Sequence, residues 1–140
     1  MAGDFNIAPA RVDGRPNLRT FPHQHVLNRA DFLSKFLGQE KQDVEKSRGK
    51  EGQQNWQGVD VWRAMNPDTR RFTYFPRSRD WGSSCDRVDY VIAGKRLWDT
   101  GRVTGAGILD SEAERGTSDH VPIWAGITMN PKPQELQNTG

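Results

Sequence analysis

Residues 87–93, with the sequence RVDYVIA, decide the fold class of this 140-residue chain. Val88, Tyr90 and Ile92 alternate with the other residues of the stretch, and a period of two is typical of a β-strand with one apolar face. Asp89 lies on the opposite face, and burial of a lone carboxylate is costly, so it has to be paired or exposed. One interpretation is a pair with the neighbouring Arg87 on a solvated face, and the other is a carboxylate that orients a histidine.

Three further strands and two helical segments are predicted on either side of this strand. Residues 72–75, 103–109 and 121–128 have strand character, although two glycines weaken the second of them. A helix is predicted from the N-cap Asn28 to Gly38, with apolar residues at helical spacing. Residues 59–65 predict a turn of helix before Pro67, and strands with intervening helices indicate an α/β or α+β domain.

Composition separates the predicted domain from two polar segments. Residues 39–55 are rich in Lys, Glu, Gln and Gly and predict a mobile insertion, whereas residues 130–140 predict a disordered tail. The predicted domain therefore spans residues 1–129. Residues 7–27 hold three prolines and no sustained period, so we expect a loop there.

Charge and cysteine usage limit the function classes only weakly. The formal net charge is +2, and the six arginines between positions 63 and 87 are typical of a solvated polar face as well as of a phosphate-binding surface. A single cysteine, Cys85, cannot form an internal disulfide, so we expect an intracellular protein, nuclear or cytoplasmic. No membrane-spanning segment or secretory signal is visible in the sequence.

Two short motifs carry the candidate chemistry. GDFN at residues 3–6 is, by itself, a common turn sequence. SDH at residues 118–120 precedes the last predicted strand, where Asp119 and His120 project to alternate sides and can serve different partners. One of these residues can hold a metal ion, and the other can be held by a second carboxylate that sets the imidazole tautomer. Pro122 cannot donate a hydrogen bond, so this strand is expected to start late.

Taken together and in this order, the motifs resemble the endonuclease/exonuclease/phosphatase superfamily, and within it the exonuclease III and AP-endonuclease branch. The resemblance runs from residue 3 to about residue 127. It implies the C-terminal half of a DNase I-like four-layered α/β sandwich with mixed sheets. The matching segments are GDFNIAP at 3–9, DVWR at 60–63 with Asn66-Pro67, RFTYF at 71–75, RVDY at 87–90 and SDHVP at 118–122.

The resemblance implies a role for each residue of these motifs. Asp4 positions or deprotonates the attacking water, and Asn6 hydrogen-bonds the scissile phosphate or the nucleophile. Asp119 belongs to a Mg²⁺ or Mn²⁺ site. His120 stabilises charge on a phosphate oxygen, and Asp89 pairs with it and keeps it charged. The predicted substrate contacts are Tyr74, which matches an aromatic of the family, together with Trp81 and Arg87.

Two departures from the family pattern are evident. Members of the family carry an N-terminal half with a metal-binding Glu and a phosphate-contacting Tyr, so we expect this chain to be a fragment with little or no activity. Asp86 stands where abasic-site enzymes place a Trp or Leu that walls the sugar pocket. A carboxylate at that position is expected to repel phosphate, which argues against abasic-site specificity.

The leading hypothesis is a divalent-metal-dependent nuclease that cleaves phosphodiester bonds in DNA and is monomeric when complete. The alternatives are another phosphodiesterase or phosphatase of the superfamily, a retroelement endonuclease, or a catalytically inactive remnant. His23 and His25 have the spacing of a metal pair, but in a loop rich in Pro and Arg we expect them to be solvated.

Overall fold

The computed structural model describes residues 1–38 and 56–129, which form an α+β arrangement of short helices and small antiparallel sheets. The predicted mobile insertion at 39–55 and the predicted tail at 130–140 lie outside the described residues. None of the helices among the described residues is long and apolar enough to cross a membrane. The strands are β1 (Ala2–Asp4), β2 (Gly14–Arg15), β3 (Gly58–Asp60), β4 (Cys85–Asp86), β5 (Asp89–Gly94), β6 (Val103–Ile108) and β7 (Ile123–Ile127). The helices are α1 (Gln24–Asp31), α2 (Val61–Met65), α3 (Lys95–Asp99) and α4 (Glu112–Arg115).

Strand β5 is the centre of a three-stranded sheet in the order β1-β5-β3, with both neighbours antiparallel to it. As the alternation predicts, Val88, Tyr90 and Ile92 are buried, each no more than 3% exposed. Tyr90 and Ile92 pack with Phe32, and Phe5 lies against the rings of both Phe32 and Tyr90. This apolar cluster attaches the first helix to the central sheet.

A second apolar cluster lies between α2 and the β6–β7 hairpin. Its buried members are Trp62, Phe72, Phe75, Cys85, Ile108 and Val121. Strand β7 begins at Ile123, after Pro122, which confirms the expected late start. Cys85 is 1% exposed, and burial raises the pKa of its thiol to about 11, so this cysteine is protonated and structural at neutral pH.

Strands β5, β6 and β7 confirm three of the predicted strands within one or two residues. Residues 72–75 are not a regular strand. Only Tyr74 makes ladder bridges there, to Asp86 on one side and to His120 on the other. Residues 72–75 therefore connect the segments around Asp86 and His120 instead of extending a sheet.

Helix α1 begins four residues before the predicted N-cap Asn28 and continues into a π-helical turn at Phe32–Phe36. The Asn28 side chain accepts a hydrogen bond at 2.6 Å from Gln24, one turn earlier, and so lies inside the helix. The expected loop at residues 7–27 contains a 3₁₀ turn at Arg11–Asp13, strand β2 and the first turn of α1. Residues 58–60 form β3, and the predicted helical turn follows as α2.

Candidate active site

His120 lies at the centre of three carboxylates that are far apart in the sequence. Its Nδ1 atom is 2.8 Å from Asp89 Oδ2. Its Nε2 atom is 3.8 Å from Asp4 Oδ2 and 4.0 Å from Asp119 Oδ1. We call these four residues the His120 cluster, and it brings together four of the five residues predicted for catalysis, metal binding and the histidine pair.

Strand pairing explains why two of the acids meet. Asp4 at the end of β1 is the register partner of Asp89 at the start of β5. Directly opposed residues on an antiparallel pair have their side chains on the same face, so both carboxylates project towards the same side of the sheet. Like charges in that position are unfavourable unless a cation or a proton lies between them. The imidazole of His120 occupies this place.

Thr73, which was not predicted from the sequence, connects the segment that carries Asp89 with the segment that carries His120. It is fully buried, and its hydroxyl oxygen accepts hydrogen bonds from the backbone N–H groups of Val88 and Asp89 at 3.0 and 3.1 Å. Its carbonyl accepts from the N–H of Val121, next to His120. One threonine therefore positions both Asp89 and His120.

The loop that carries Asp119 and His120 is fixed by backbone contacts. The N–H of Phe75 donates to the carbonyl of Asp119 at 2.8 Å, and Arg77 donates to the carbonyls of Gly116 and Ser118. The Ser118 hydroxyl accepts from the His120 N–H at 3.0 Å. The SDH sequence is therefore a rigid turn whose Asp119 side chain remains free to meet a ligand.

Asn6, two residues after Asp4, has an unusual backbone conformation. Its φ angle is 52°, in the left-handed region that asparagine tolerates better than most residues. Its N–H donates to Asp4 Oδ1 at 2.7 Å, which leaves Asp4 Oδ2 directed at His120. Asn6 therefore fixes the orientation of the Asp4 carboxylate.

The His120 cluster is negatively charged and open to solvent. The side chains of Asp4 and Asp119 are 49% and 52% exposed, while those of His120 and Asp89 are 28% and 14% exposed. Three carboxylates exceed the single positive charge that His120 can carry. Ligand atoms of Asp4, Asp89 and His120 lie within 4.8 Å of one another. Asp119, the predicted metal ligand, is not in this group, and the exposed carboxylate oxygens of Asp4 and Asp119 are of the kind that Mg²⁺ prefers.

Tyr74 is half-buried beside the cluster, with its ring 5.2 Å from the ring of His120. Arg19 also lies against this ring, with its guanidinium carbon 5.2 Å from the centre of the Tyr74 ring. Arg19 was missed because nothing in the sequence around it forms a motif. Only the path of residues 7–19 brings it to the site.

The structure corrects the expectation that the Asp86 carboxylate repels phosphate. Its side chain is 5% exposed and forms an ion pair with Arg19 at 2.7 Å. Burial raises the pKa of Asp86, and the guanidinium of Arg19 partly offsets that rise. Asp86 is therefore a buried anchor for a cation, because its charge faces Arg19 instead of the solvent.

Arg87 was predicted to contact the substrate, and that prediction is wrong. Its side chain is 1% exposed and binds Asp13 at 2.6 Å and Asp60 at 2.7 Å. Burial by itself lowers the pKa of Arg87, but Asp60 and its other neighbours more than reverse the effect and keep the guanidinium charged. Asp13 also binds Arg63 at 2.6 Å. We call Asp13, Asp60, Arg63 and Arg87 the Arg87 network, and it serves the fold.

The remaining predicted residues lie apart from the His120 cluster. Trp81 is half-buried and stacks on Phe75 with ring centres 3.9 Å apart, while Arg115 lies over its ring. Its predicted contact with DNA stays a prediction. Within residues 1–38 and 56–129, the group of side chains with metal-ligand spacing contains neither His23 nor His25.

Comparison with known proteins adds no assignment to this geometry. No protein-family model matches the chain, and no curated protein sequence matches it.

Proposed function

We propose that this chain is a divalent-metal-dependent phosphodiesterase that acts on DNA, of the exonuclease III type. The observation that supports the proposal is the His120 cluster, in which residues 4, 89, 119 and 120 meet at one imidazole. The cluster combines exposed oxygen ligands with a histidine oriented by a half-buried carboxylate. Phosphodiester hydrolysis requires such a combination, because it needs an activated water and positive charge near the phosphate oxygens.

Each residue has a chemical task in this proposal. Asp4, whose Oδ1 is bound by Asn6 and whose Oδ2 faces His120 at 3.8 Å, accepts a proton from the attacking water. His120 donates its Nε2–H to a phosphate oxygen as negative charge develops there. Asp89 accepts the Nδ1–H, which fixes the tautomer and the orientation of the imidazole. Tyr74 supports the ring of His120 from one side.

Asp119 and Asp4 are the residues that would hold Mg²⁺ or Mn²⁺, because their carboxylates are the most exposed oxygens of the cluster. When bound, the ion supplies positive charge to the non-bridging oxygens of the phosphate. It also removes the excess negative charge that keeps a DNA backbone away from three carboxylates.

The proposal is tested by two measurements on the purified chain. Mn²⁺ binding is followed by electron paramagnetic resonance, and cleavage is followed with nicked and abasic duplex DNA in Mg²⁺ or Mn²⁺. We expect Asp119→Ala to abolish metal binding, and His120→Ala to lower cleavage by at least about a hundredfold, within the usual range for a lost acid or oxyanion contact. Asp110→Ala, which removes a surface carboxylate paired with Arg71, is the matched control and should change neither.

The two readouts separate the competing functions. Metal binding that depends on Asp119, without cleavage of either substrate, would support the inactive remnant. Absence of Mn²⁺ binding at millimolar metal would contradict the metal-dependent phosphodiesterase itself. Equal cleavage of nicked and abasic DNA would support a nuclease without abasic-site specificity.

A further inference from the structure

Arg19 is a cation held next to a cluster that is otherwise negative. Its Nη2 atom is 2.7 Å from Asp86 Oδ2, and its Nη1 atom donates to Asn6 Oδ1 at 3.4 Å. The side chain is nevertheless 33% exposed, so the contacts with Asp86 and Asn6 hold the guanidinium in place without removing the side chain from solvent.

The backbone around Arg19 is also fixed. Arg29 of helix α1 donates from Nη2 to the carbonyl of Arg19 and from Nε to the carbonyl of Ala8 at 2.7 Å. Asp86, the side-chain anchor, is held by hydrogen bonds between its own backbone and that of Tyr74. Arg19 is therefore pre-organised, and a bound ligand would not have to restrict a flexible side chain.

The position of Arg19 relative to Tyr74 and His120 determines which ligand it can contact. Its guanidinium carbon is 5.2 Å from the centre of the Tyr74 ring, and the ring of His120 is also 5.2 Å from that ring, centre to centre. A ligand with one anionic group at His120 and a second one at Arg19 would be bound at both ends. Successive phosphates of a nucleic acid strand are two such anionic groups, and arginine is a preferred partner of phosphate oxygens.

We propose that Arg19 is a substrate-binding residue that takes the phosphate adjacent to the one held at His120. The proposal rests on the proposed function, because it takes the phosphate at His120 from that function. Asp86 acts as a positioning residue, since it holds Arg19 and does not touch the substrate. An ion pair here replaces the apolar wall expected in the abasic-site enzymes. The site therefore offers a positive charge to a phosphate where those enzymes offer an apolar wall to a base-less sugar.

Two variants test the role of Arg19 in binding. Arg19→Gln removes the cation but leaves Asp86 buried and unpaired, which destabilises the fold. The double variant Arg19→Gln/Asp86→Asn removes both charges together, so the net charge of the protein does not change. Arg96→Gln is the matched control, because Arg96 is exposed on α3, which follows the end of β5 opposite to Asp89.

Binding of a fluorescein-labelled single-stranded DNA of about a dozen nucleotides is measured by anisotropy over a range of salt concentrations, with Ca²⁺ present. We expect the double variant to bind about tenfold more weakly. The slope of log affinity against log salt should fall by about 0.7, the value for one lost phosphate contact on a single strand. Arg19→Lys should keep the slope and lose less affinity, because it retains the charge and lacks the planar fork.

The outcomes distinguish this proposal from the proposed function. A double variant that binds within twofold of the unaltered chain and with the same slope would overturn the role of Arg19. Failure of the unaltered chain to bind the DNA, or an equal loss in Arg96→Gln, would overturn it too. If binding depends on Arg19 but Mg²⁺ and Mn²⁺ support no cleavage, the phosphate site stands and the hydrolytic function fails.

Discussion

The Arg87 network and the His120 cluster are two charged groups that each take one residue from the stretch 87–89. Arg87 and Asp89 are only two residues apart, yet one belongs to the interior and the other to an open site. The Arg87 network balances two carboxylates with two guanidinium groups and is almost wholly buried. The His120 cluster opposes three carboxylates with one imidazole and is largely exposed.

The difference separates a structural charge from a functional one. A buried charge is tolerated when partners compensate it and satisfy its hydrogen bonds, and such a group has no capacity left for a ligand. An exposed group with unbalanced charge costs less to keep and attracts a counter-ion from solution. Charge balance and exposure, more than residue type, therefore make the His120 cluster the candidate site.

The largest effect is expected from breaking the Arg87 network. Arg87→Met leaves the Asp60 carboxylate, 8% exposed, without its bidentate partner. Removing one partner of a buried ion pair costs about 3–5 kcal/mol, so urea denaturation should show a severely destabilised or unfolded protein. Arg71→Met is the control, because its pair with Asp110 is at the surface and is worth about 0–1 kcal/mol. Equal losses in the two variants would contradict the structural role of the network.

A smaller loss of stability is expected from a change at Thr73, which accepts hydrogen bonds from the backbone of Val88 and Asp89. Thr73→Val has nearly the same shape but leaves the N–H groups of Val88 and Asp89 without an acceptor. Each buried unsatisfied donor costs about 1–3 kcal/mol, so we expect a loss of about 2–3 kcal/mol in the free energy of unfolding. Thr73→Ser keeps the hydroxyl and should lose only the burial of a methyl group, about 1 kcal/mol. If serine and valine destabilise equally, packing and not hydrogen bonding explains the role of Thr73.

The smallest expected effect on stability is a gain instead of a loss. Asp4→Asn preserves the acceptor for the Asn6 N–H and removes one of the three like charges around His120. Without added metal we expect the variant to gain a few tenths of a kcal/mol, because exposed charge pairs are worth about that much. Thermal unfolding with and without Mn²⁺ measures it. The unaltered chain should be stabilised by Mn²⁺ and Asp4→Asn should not.

Asp110→Asn is the matched comparison for this last measurement, since it removes a carboxylate that has a cationic partner in Arg71. It should lose a little stability and keep the response to Mn²⁺. A metal-free Asp4→Asn protein that is less stable than the unaltered chain would show that the His120 cluster is not electrostatically strained.

Several elements were predictable because their signals are local. The alternation around Tyr90 predicts β5, and Pro122 predicts the late start of β7. The start of α1 was misjudged because Asn28 has the side chain of an N-cap residue, while its actual partner is Gln24, one turn earlier. Residues 72–75 have strand composition, but their hydrogen bonds go to Asp86, Asp119 and Val121, distant positions that composition does not reveal.

The sequence alone determined the α+β class, the apolar face of the central strand and the identities of Asp4, Asp89, Asp119 and His120 as candidates. The tertiary structure decided which charges are available. It buried Arg87 against Asp13 and Asp60, turned Asp86 towards Arg19, and placed Arg19 beside Tyr74. The reason is physical: the cost of a charge depends on its exposure and on partners that lie tens of residues away, and neither is a property of the local sequence.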